Sequence, residues 1–286
     1  MRGWWQDLTD LVLPAECGGC GRPRTVLCPE CRAALQGTAP RSVRPVPEPA
    51  GLPVVHAAAA YEGAVRATLL AHKERGALML AGPLGAALAG AVRAGPGGQV
   101  PSGARGGPRP LLLVPVPSSR RAVRARGHDP ARRIALAAAG ELRRTGTAAR
   151  VVSVLRQLRP VADQAGLNSG QRLANLTGAL GVAGGGTRLL AGGRVVLVDD
   201  LMTTGASLTE AARAVRTALG HAQMGDREVY VPAAGEATGE RRRAETTPPA
   251  NRTWAPPGMA AGSGVEDGIC AAVVAASPDS FENNRN

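Results

Sequence analysis

Aromatic residues are nearly absent from this 286-residue sequence, which contains three Trp, two Tyr and one Phe. Because readout of single-stranded nucleic acid by base stacking needs aromatic faces, the composition argues against a stacking-based mode of recognition. The hydrophobic fraction of 44% comes mainly from Ala, Val and Leu. A chain of this length can bury a sizeable core of such residues, so we expect a globular protein of one large or two smaller domains.

Long hydrophobic runs are also missing, since no stretch approaches the roughly 20 apolar residues of a membrane-spanning helix. The first residues, MRGWWQDLTDLVLP, are interrupted by Gln6, Asp7 and Asp10, so they lack the apolar run of a secretion signal. These two observations predict a cytoplasmic protein without a membrane span, whose cysteines are reduced.

Lysine occurs once, at Lys73, so the formal net charge of +12 is carried by Arg. Residues 221–286 contain 6 basic and 9 acidic residues, which places the positive excess in residues 1–220. An arginine cluster in that part suits a polyanion, either a pyrophosphate or a nucleic-acid backbone; a solvated, arginine-rich helix face is the alternative. The cluster consists of Arg120, Arg121, Arg124, Arg126, Arg132 and Arg133.

Four of the five cysteines fall in the window CGGCGRPRTVLCPEC. Two Cys-x2-Cys pairs let four thiolates converge tetrahedrally on one zinc ion, and because the protein supplies all four ligands the zinc should be structural. Disulfides and a redox dithiol are the alternatives, and both fit a reducing compartment poorly. The fifth, Cys270, is expected to be buried. The predicted zinc ligands are Cys17, Cys20, Cys28 and Cys31, in a module over residues 1–36.

Apolar runs of strand length alternate with helical periodicity through the rest of the chain. The fully apolar LLLVPVP indicates a strand buried on both faces, as in parallel sheets. We therefore predict an α/β fold with a parallel sheet flanked by helices, in a domain over residues 54–286. The predicted strands are 54–60, 111–117, 151–155 and 194–198; residues 37–53 are predicted to be a linker and residues 94–110 a flexible loop.

Two further segments bear on function. YEGAVRATLLAHKERG has helical spacing and stops at Gly76, which places Lys73 and Arg75 in the last turn, where they can serve a ligand or simply the helix dipole. The arginine-rich segment after LLLVPVP is predicted to be a loop that becomes a helix near Pro130. Residues 156–175 are polar, contain Pro and Gly, and are typical of a mobile lid.

The stretch VVLVDDLMTTGAS places two carboxylates after a buried strand, where a parallel sheet has its ligand crevice. The residues from Thr203 to Ser207 then lead into a helix whose first turn offers free N–H groups to a phosphate monoester. Asp199 and Asp200 would repel a bare polyphosphate but suit ribose hydroxyls and Mg²⁺. A capped helix with two incidental acids is the alternative. The patterns of a nucleoside-triphosphate loop and of a dinucleotide-binding loop are both absent.

This stretch resembles the phosphoribosyl pyrophosphate signature of type I phosphoribosyltransferases. CGGCGRPRTVLCPEC, YEGAVRATLLAHKERG, LLLVPVPSSRRAVRARGHDPARRIA, LRPVADQAGLNSGQRLANLTGAL and the closing AAVVAASPDSFENNRN resemble the ComF family, which places such a domain after a four-cysteine zinc module. The resemblance spans residues 11–220 and about the last sixteen. It departs at residues 221–268, which we interpret as a disordered insertion or an error in gene prediction, ahead of a last strand at 269–276.

The resemblance implies that Asp199 and Asp200 hold the ribose hydroxyls and Mg²⁺ of phosphoribosyl pyrophosphate. The loop Thr203, Thr204, Gly205, Ala206 and Ser207 would then hold the 5′-phosphate. It further implies that Arg120, Arg126 and Gly127 lie near the pyrophosphate and that the lid carries Arg159, Gln164, Arg172 and Asn175. Lys73 and Arg159 are also candidate substrate-binding residues.

Two functions follow from the resemblance. One is an enzyme that transfers phosphoribosyl to an unidentified acceptor with release of pyrophosphate. The other is a non-catalytic accessory protein of natural competence, which binds single-stranded DNA or helicase and primosome partners during transformation. The basic charge favours contact with a polyanion in either case.

Overall fold

The computed structural model describes residues 16–96, 109–161, 166, 168–225 and 268–282. Over these residues the chain is an α/β fold on a mixed, mostly parallel sheet, as predicted. The strands are β1 (Arg41–Val43), β2 (Val55–Ala60), β3 (Leu111–Pro115), β4 (Ala149–Val151), β5 (Leu155–Gln157), β6 (Leu180–Val182), β7 (Arg194–Met202) and β8 (Cys270–Ala276). Six of them form one sheet in the order β1-β2-β8-β7-β3-β4, in which only β1 runs antiparallel to its neighbour.

Helices cover both faces of this sheet. The helices are α1 (Pro29–Gln36), α2 (Gly63–Glu74), α3 (Ala81–Ala94), α4 (Arg120–Arg126), α5 (Pro130–Arg144), α6 (Ser169–Leu176), α7 (Gly186–Ala191), α8 (Ala206–Gly225) and α9 (Asp279–Glu282), with a 3₁₀ turn at Leu78–Leu80. In β7, Val196 and Val198 join the apolar core formed with α1, α2, α3 and α5, while Val195 and Leu197 join the core formed with α8. This period of two is what a strand covered on both faces requires.

The connections that leave β3 and β7 run in opposite directions. The chain after β3 passes along one face through α5 to β4, whereas the chain after β7 passes along the other face through α8 to β8. Because β3 and β7 are neighbours, their carboxyl ends mark the point where the direction of winding reverses. Ligand crevices of open α/β sheets lie at this position.

Several boundaries differ from the predictions. The predicted linker over residues 37–53 contains β1, which pairs with β2. The basic segment predicted to be a loop forms α4, capped by Ser119, whose side chain accepts from the Ala122 N–H. The single strand predicted at residues 151–155 is instead parts of β4 and β5, which belong to different sheets. These pieces are three to seven residues long, too short to show a period.

The last predicted strand is confirmed as β8, which lies between β2 and β7 with all its residues buried. Helix α8 continues through Gly225, so its last five residues fall in the insertion predicted to start at residue 221. The rest of that predicted insertion, residues 226–267, lies outside the described residues, as do residues 97–108 of the predicted flexible loop. In the part of the chain that the structure describes, no helix is both long and apolar enough to cross a membrane.

Candidate functional site

The four clustered cysteines converge on one point, as their spacing predicts. Their sulfur atoms all lie within 4.8 Å of one another, and all five cysteines of the chain are free thiols. Sulfur ligands of a tetrahedral zinc ion stand about 3.8 Å apart, which this arrangement approaches. Pro29 begins α1 directly after Cys28, so Cys31 lies in the first turn of the helix that packs the cluster into the core. Cys17, Cys20, Cys28 and Cys31 are thus positioned to hold a metal ion.

A cleft of about 800 Å³ opens at the carboxyl ends of β3 and β7, remote from the cysteines in sequence. One wall is the loop after β3 together with α4, and the other is the ribbon formed by β5 and β6 with α6 between them. Six predicted site residues line it: Lys73, Arg126, Asp199, Asp200, Thr203 and Ser207. Arg120, Gly127, Arg159, Thr204, Gly205 and Ala206 are outside its lining.

The two acids occupy the end of β7 and differ in their surroundings. Asp200 is buried, and its Oδ2 and Oδ1 lie 2.9 Å and 3.2 Å from Nζ of Lys73. Asp199 is half-buried, and its Oδ1 accepts a hydrogen bond of 2.8 Å from the backbone N–H of Asp200. Burial, and then the neighbouring charge of Asp200, raises the pKa of Asp199 well above its ordinary value. The ammonium group of Lys73 lowers the pKa of Asp199, but burial and the charge of Asp200 outweigh it.

The ammonium of Lys73 remains charged in this setting. Burial lowers the pKa of Lys73, but the carboxylates of Asp200 and Asp199 outweigh burial and raise it overall. The sequence left two interpretations of the last turn of α2, contact with a ligand or interaction with the helix dipole. In the structure, Lys73 lines the cleft. The adjacent Glu74 accepts from Nη2 and Nε of Arg126 at 2.8 Å and 3.0 Å. One helical turn thus contacts the acid pair through Lys73 and the basic wall through Glu74. The sequence pattern alone did not single out Glu74.

The loop between β7 and α8 is tightly held. Gly205 has a φ of +74°, a left-handed conformation that favours glycine, and a Cβ there would lie 3.1 Å from Leu52 and 3.4 Å from Pro45. Thr203 and Ser207, which both carry a hydroxyl group, line the cleft beside this turn. Helix α8 is 20 residues long, so its first turn presents free N–H groups and a partial positive charge.

The lid residues named from the sequence have distinct positions. Arg159 donates to the carbonyl oxygens of Asn175 and Thr177 at 2.9 Å and 2.8 Å, so it links the two ends of the segment predicted to be a lid. Arg172 extends from α6 to within 3.5 Å of Oγ1 of Thr203. Gln164 lies outside the described residues.

Some residues of the cleft were not predicted as ligands. Ser118 and Ser119 belong to the loop after β3, and Gln157 comes from β5. Arg121 of α4 also lines the cleft and belongs to the arginine cluster predicted to suit a polyanion. The serines directly follow LLLVPVP, and this position was the available signal for them. Gln157 has no such signal, because its strand is only three residues long.

Two histidines pack against each other next to this region. The rings of His72 and His128 meet edge to face with centroids 5.4 Å apart, and His72 is fully buried. Burial lowers the pKa of His72, which is therefore neutral at pH 7.

Comparison of the chain with protein-family models and with curated proteins finds no match.

Proposed function

We propose that this chain is a phosphoribosyltransferase-like protein of the ComF family, with a type I phosphoribosyltransferase fold, that binds phosphoribosyl pyrophosphate with Mg²⁺ in the cytoplasm. One observation carries the proposal: an acid pair and a hydroxyl-bearing helix N-terminus share one cleft at the reversal point of the sheet. A sugar 5-phosphate has the two kinds of group, hydroxyls and phosphate, that such a divided site accepts.

The walls of the cleft suggest how the ligand lies. The 5′-phosphate would occupy the loop from Thr203 to Ser207 at the start of α8, and the ribose hydroxyls would donate to Asp199 and Asp200. The pyrophosphate would then face the opposite wall, where Arg121 and Arg126 line the cleft. Guanidinium groups favour phosphate oxygens, so the charge of that wall supports this orientation.

The residues present fit the two metals that the proposal needs. A divalent cation would relieve the repulsion between the two carboxylates, which together with burial raises the pKa of Asp199, and carboxylate oxygens are ligands that Mg²⁺ accepts. When bound with the substrate, Mg²⁺ supplies positive charge to the pyrophosphate as it leaves. The four sulfur ligands at the cysteine cluster suit Zn²⁺, which would be structural because no position remains for a substrate.

The chemistry would be displacement of pyrophosphate from the anomeric carbon by a nitrogen nucleophile. The chain contributes the acid pair that holds the ribose, the Arg-bearing wall that receives the pyrophosphate, and the lid that excludes water. Pyrophosphate release should therefore be measured with the wild type across a panel of bases and amines. Release with one acceptor supports transfer, whereas tight binding with no release from any acceptor contradicts the enzymatic form of the proposal.

A basic surface favours a second candidate, the accessory protein of natural competence. The exposed guanidinium groups of Arg120, Arg121, Arg124, Arg132 and Arg133 form no ion pair with a carboxylate among the described residues. This surface suits the backbone of single-stranded DNA, with helicase or primosome proteins as further partners. Binding of single-stranded DNA should then weaken steeply with salt, and Arg124→Ala or Arg132→Ala should reduce the slope by about 1 each. A slope near zero contradicts direct contact with DNA.

A further inference from the structure

The ribbon formed by β5 and β6 raises a question of stability. It is separate from the main sheet, and each of its strands has three residues. An isolated two-stranded hairpin is at best marginally stable in water. Yet Gln157 of β5 and Leu180 of β6, which are register partners, both line the cleft. Something outside the ribbon must hold these two residues in place.

An ion pair on α8 forms hydrogen bonds with the ribbon at Leu180. Glu210 is buried, and Arg213 donates to its two carboxylate oxygens from Nε and Nη2, each at 2.7 Å. Oε1 of Glu210 also accepts from the backbone N–H of Leu180 at 2.9 Å, and Nη2 of Arg213 donates to the Leu180 carbonyl at 2.8 Å. The pair thus satisfies both backbone polar groups of one ribbon residue.

The surroundings of Glu210 favour its ionised form. Burial raises the pKa of Glu210, but the hydrogen bond from Arg213 and the backbone N–H of Leu180 outweigh burial and lower it overall. Hydrogen bonds between ionised partners are stronger than neutral ones, and the bidentate geometry fixes the direction of the guanidinium. The contact is therefore suited to fixing the position of Leu180 relative to α8.

The helix that carries the pair also begins at the proposed phosphate loop. α8 starts at Ala206, and Glu210 lies about one turn further along. The same lid segment approaches the start of α8 a second time, where Arg172 reaches Thr203. The wall formed by the ribbon and α6 and the proposed phosphate loop thus both contact the same rigid helix, α8.

We propose that Glu210 and Arg213 are positioning residues, which clamp the ribbon to α8. They would thereby set the distance between the ribbon, as one wall of the cleft, and the acid pair. This inference rests on the proposed function, because it assigns the clamp a role in binding phosphoribosyl pyrophosphate. Neither residue lines the cleft, so both act through Leu180 and its partner Gln157.

The chain contains a matched control for this clamp. Glu141 and Arg144 on α5 form an ion pair with the same spacing of three residues and a bidentate geometry, at 2.6 Å and 3.1 Å. Arg144 is 71% exposed, and these charged atoms bond to each other across one helix face. Glu141→Gln therefore removes an ion pair of the same kind without touching the ribbon.

The test compares Arg213→Met, the milder Glu210→Gln and the control Glu141→Gln by hydrogen exchange and by calorimetry with Mg²⁺ and phosphoribosyl pyrophosphate. We expect Arg213→Met to speed exchange in residues 155–182 by about tenfold or more, with β3 and β7 unchanged. We expect its dissociation constant to rise about tenfold and ligand-induced protection of the ribbon to be lost, with a smaller effect in Glu210→Gln. The control should match the wild type in all three readouts.

The outcomes separate the inference from the proposed function. Wild-type exchange rates in residues 155–182 and wild-type affinity in Arg213→Met would overturn the inference. Exchange that rises equally throughout the chain would also overturn it, because the pair would then serve general stability. If the wild type does not bind the ligand, the proposed function fails, and the exchange rates alone decide whether the clamp holds the ribbon.

Discussion

The ammonium group of Lys73 lies 2.9 Å from Oδ2 of Asp200, although 127 residues separate the two in sequence. This contact joins the last turn of α2 to the end of β7. Because Glu74 pairs with Arg126, the same turn also holds α4, which forms part of the opposite wall. The geometry of the cleft therefore depends on α2 as well as on the strand that carries the acids.

Replacing Lys73 by Met should destabilise the protein, because the buried Asp200 loses its partner. Breaking a fully buried pair costs about 3–5 kcal/mol. Lys73 is 33% exposed, so solvent screening reduces the expected loss here to about 1–2 kcal/mol. Urea unfolding measures this change. Adding Asp200→Asn to Lys73→Met should recover part of the loss, and a double variant less stable than the sum of the two singles would contradict this account.

Asp199 should make the stability of the protein fall as the pH rises. Burial and the charge of Asp200 raise its pKa above the ordinary value of 3.8, so the folded state retains a proton that the unfolded chain releases. Stability is then lost between pH 3.8 and the raised folded-state pKa. Asp199→Asn keeps an oxygen that can accept from the Asp200 N–H but does not titrate. In the absence of Mg²⁺, it should match the wild type near pH 3.8 and be more stable than the wild type at pH 7.

Urea unfolding of both proteins across this pH range provides the check. The difference between them isolates Asp199 from other titrating groups such as His72, which the two proteins share. A difference that stays constant with pH would contradict the proposed cause.

Gly205→Ala should distort the loop between β7 and α8, which is proposed to hold the 5′-phosphate. The left-handed φ of +74° and the short distance of 3.1 Å from a Cβ to Leu52 both oppose a side chain, so we expect a loss of about 1–3 kcal/mol. Affinity for phosphoribosyl pyrophosphate should fall with it. Gly140→Ala is the control, because Gly140 lies in α5 with nothing within 4 Å of its Cβ position. It should stabilise the protein by about 0.5–1 kcal/mol, and equal effects of the two substitutions in thermal unfolding would exclude the backbone argument.

Removing a ligand from the cysteine cluster should release its metal. Cys20→Ser changes the one exposed cysteine of the cluster and leaves the buried core around Cys31 and Leu35 intact. We expect bound zinc, measured by mass spectrometry of the native protein, in the wild type and in the control Cys270→Ala but not in Cys20→Ser. The melting temperature of Cys20→Ser should fall, because metal binding contributes directly to folding. Equal zinc content in all three proteins would count against the assignment.

The sequence predicted those parts of the fold and site that rest on long or dense local patterns. The apolar run predicted as a strand over residues 194–198 and the paired Cys-x2-Cys motifs are such patterns. The structure contains the convergent cysteines and the strand, although β7 continues through both acids to Met202. β1 and β5 have three residues each and exist through pairing with other strands, which a local pattern does not show.

Long-range side-chain contacts were the least predictable part. Lys73 was a candidate from its place in a last helical turn, but its partner Asp200 depends on how α2 lies against the sheet. The contact of Glu210 with Leu180 spans 30 residues and ends on a backbone group, so no residue type marks it in the sequence. Such contacts depend on tertiary packing, which the spacing of residues along the chain does not encode.

The most direct test of the account is calorimetric titration of phosphoribosyl pyrophosphate into the wild type with and without Mg²⁺, and into Asp199→Asn combined with Asp200→Asn. We expect binding of one ligand per chain that requires Mg²⁺ and weakens by about 100-fold or more in the double variant. Glu141→Gln, which removes a carboxylate that does not line the cleft, should bind as the wild type does. No binding to the wild type, or unchanged affinity in the double variant, would contradict the assignment of this cleft.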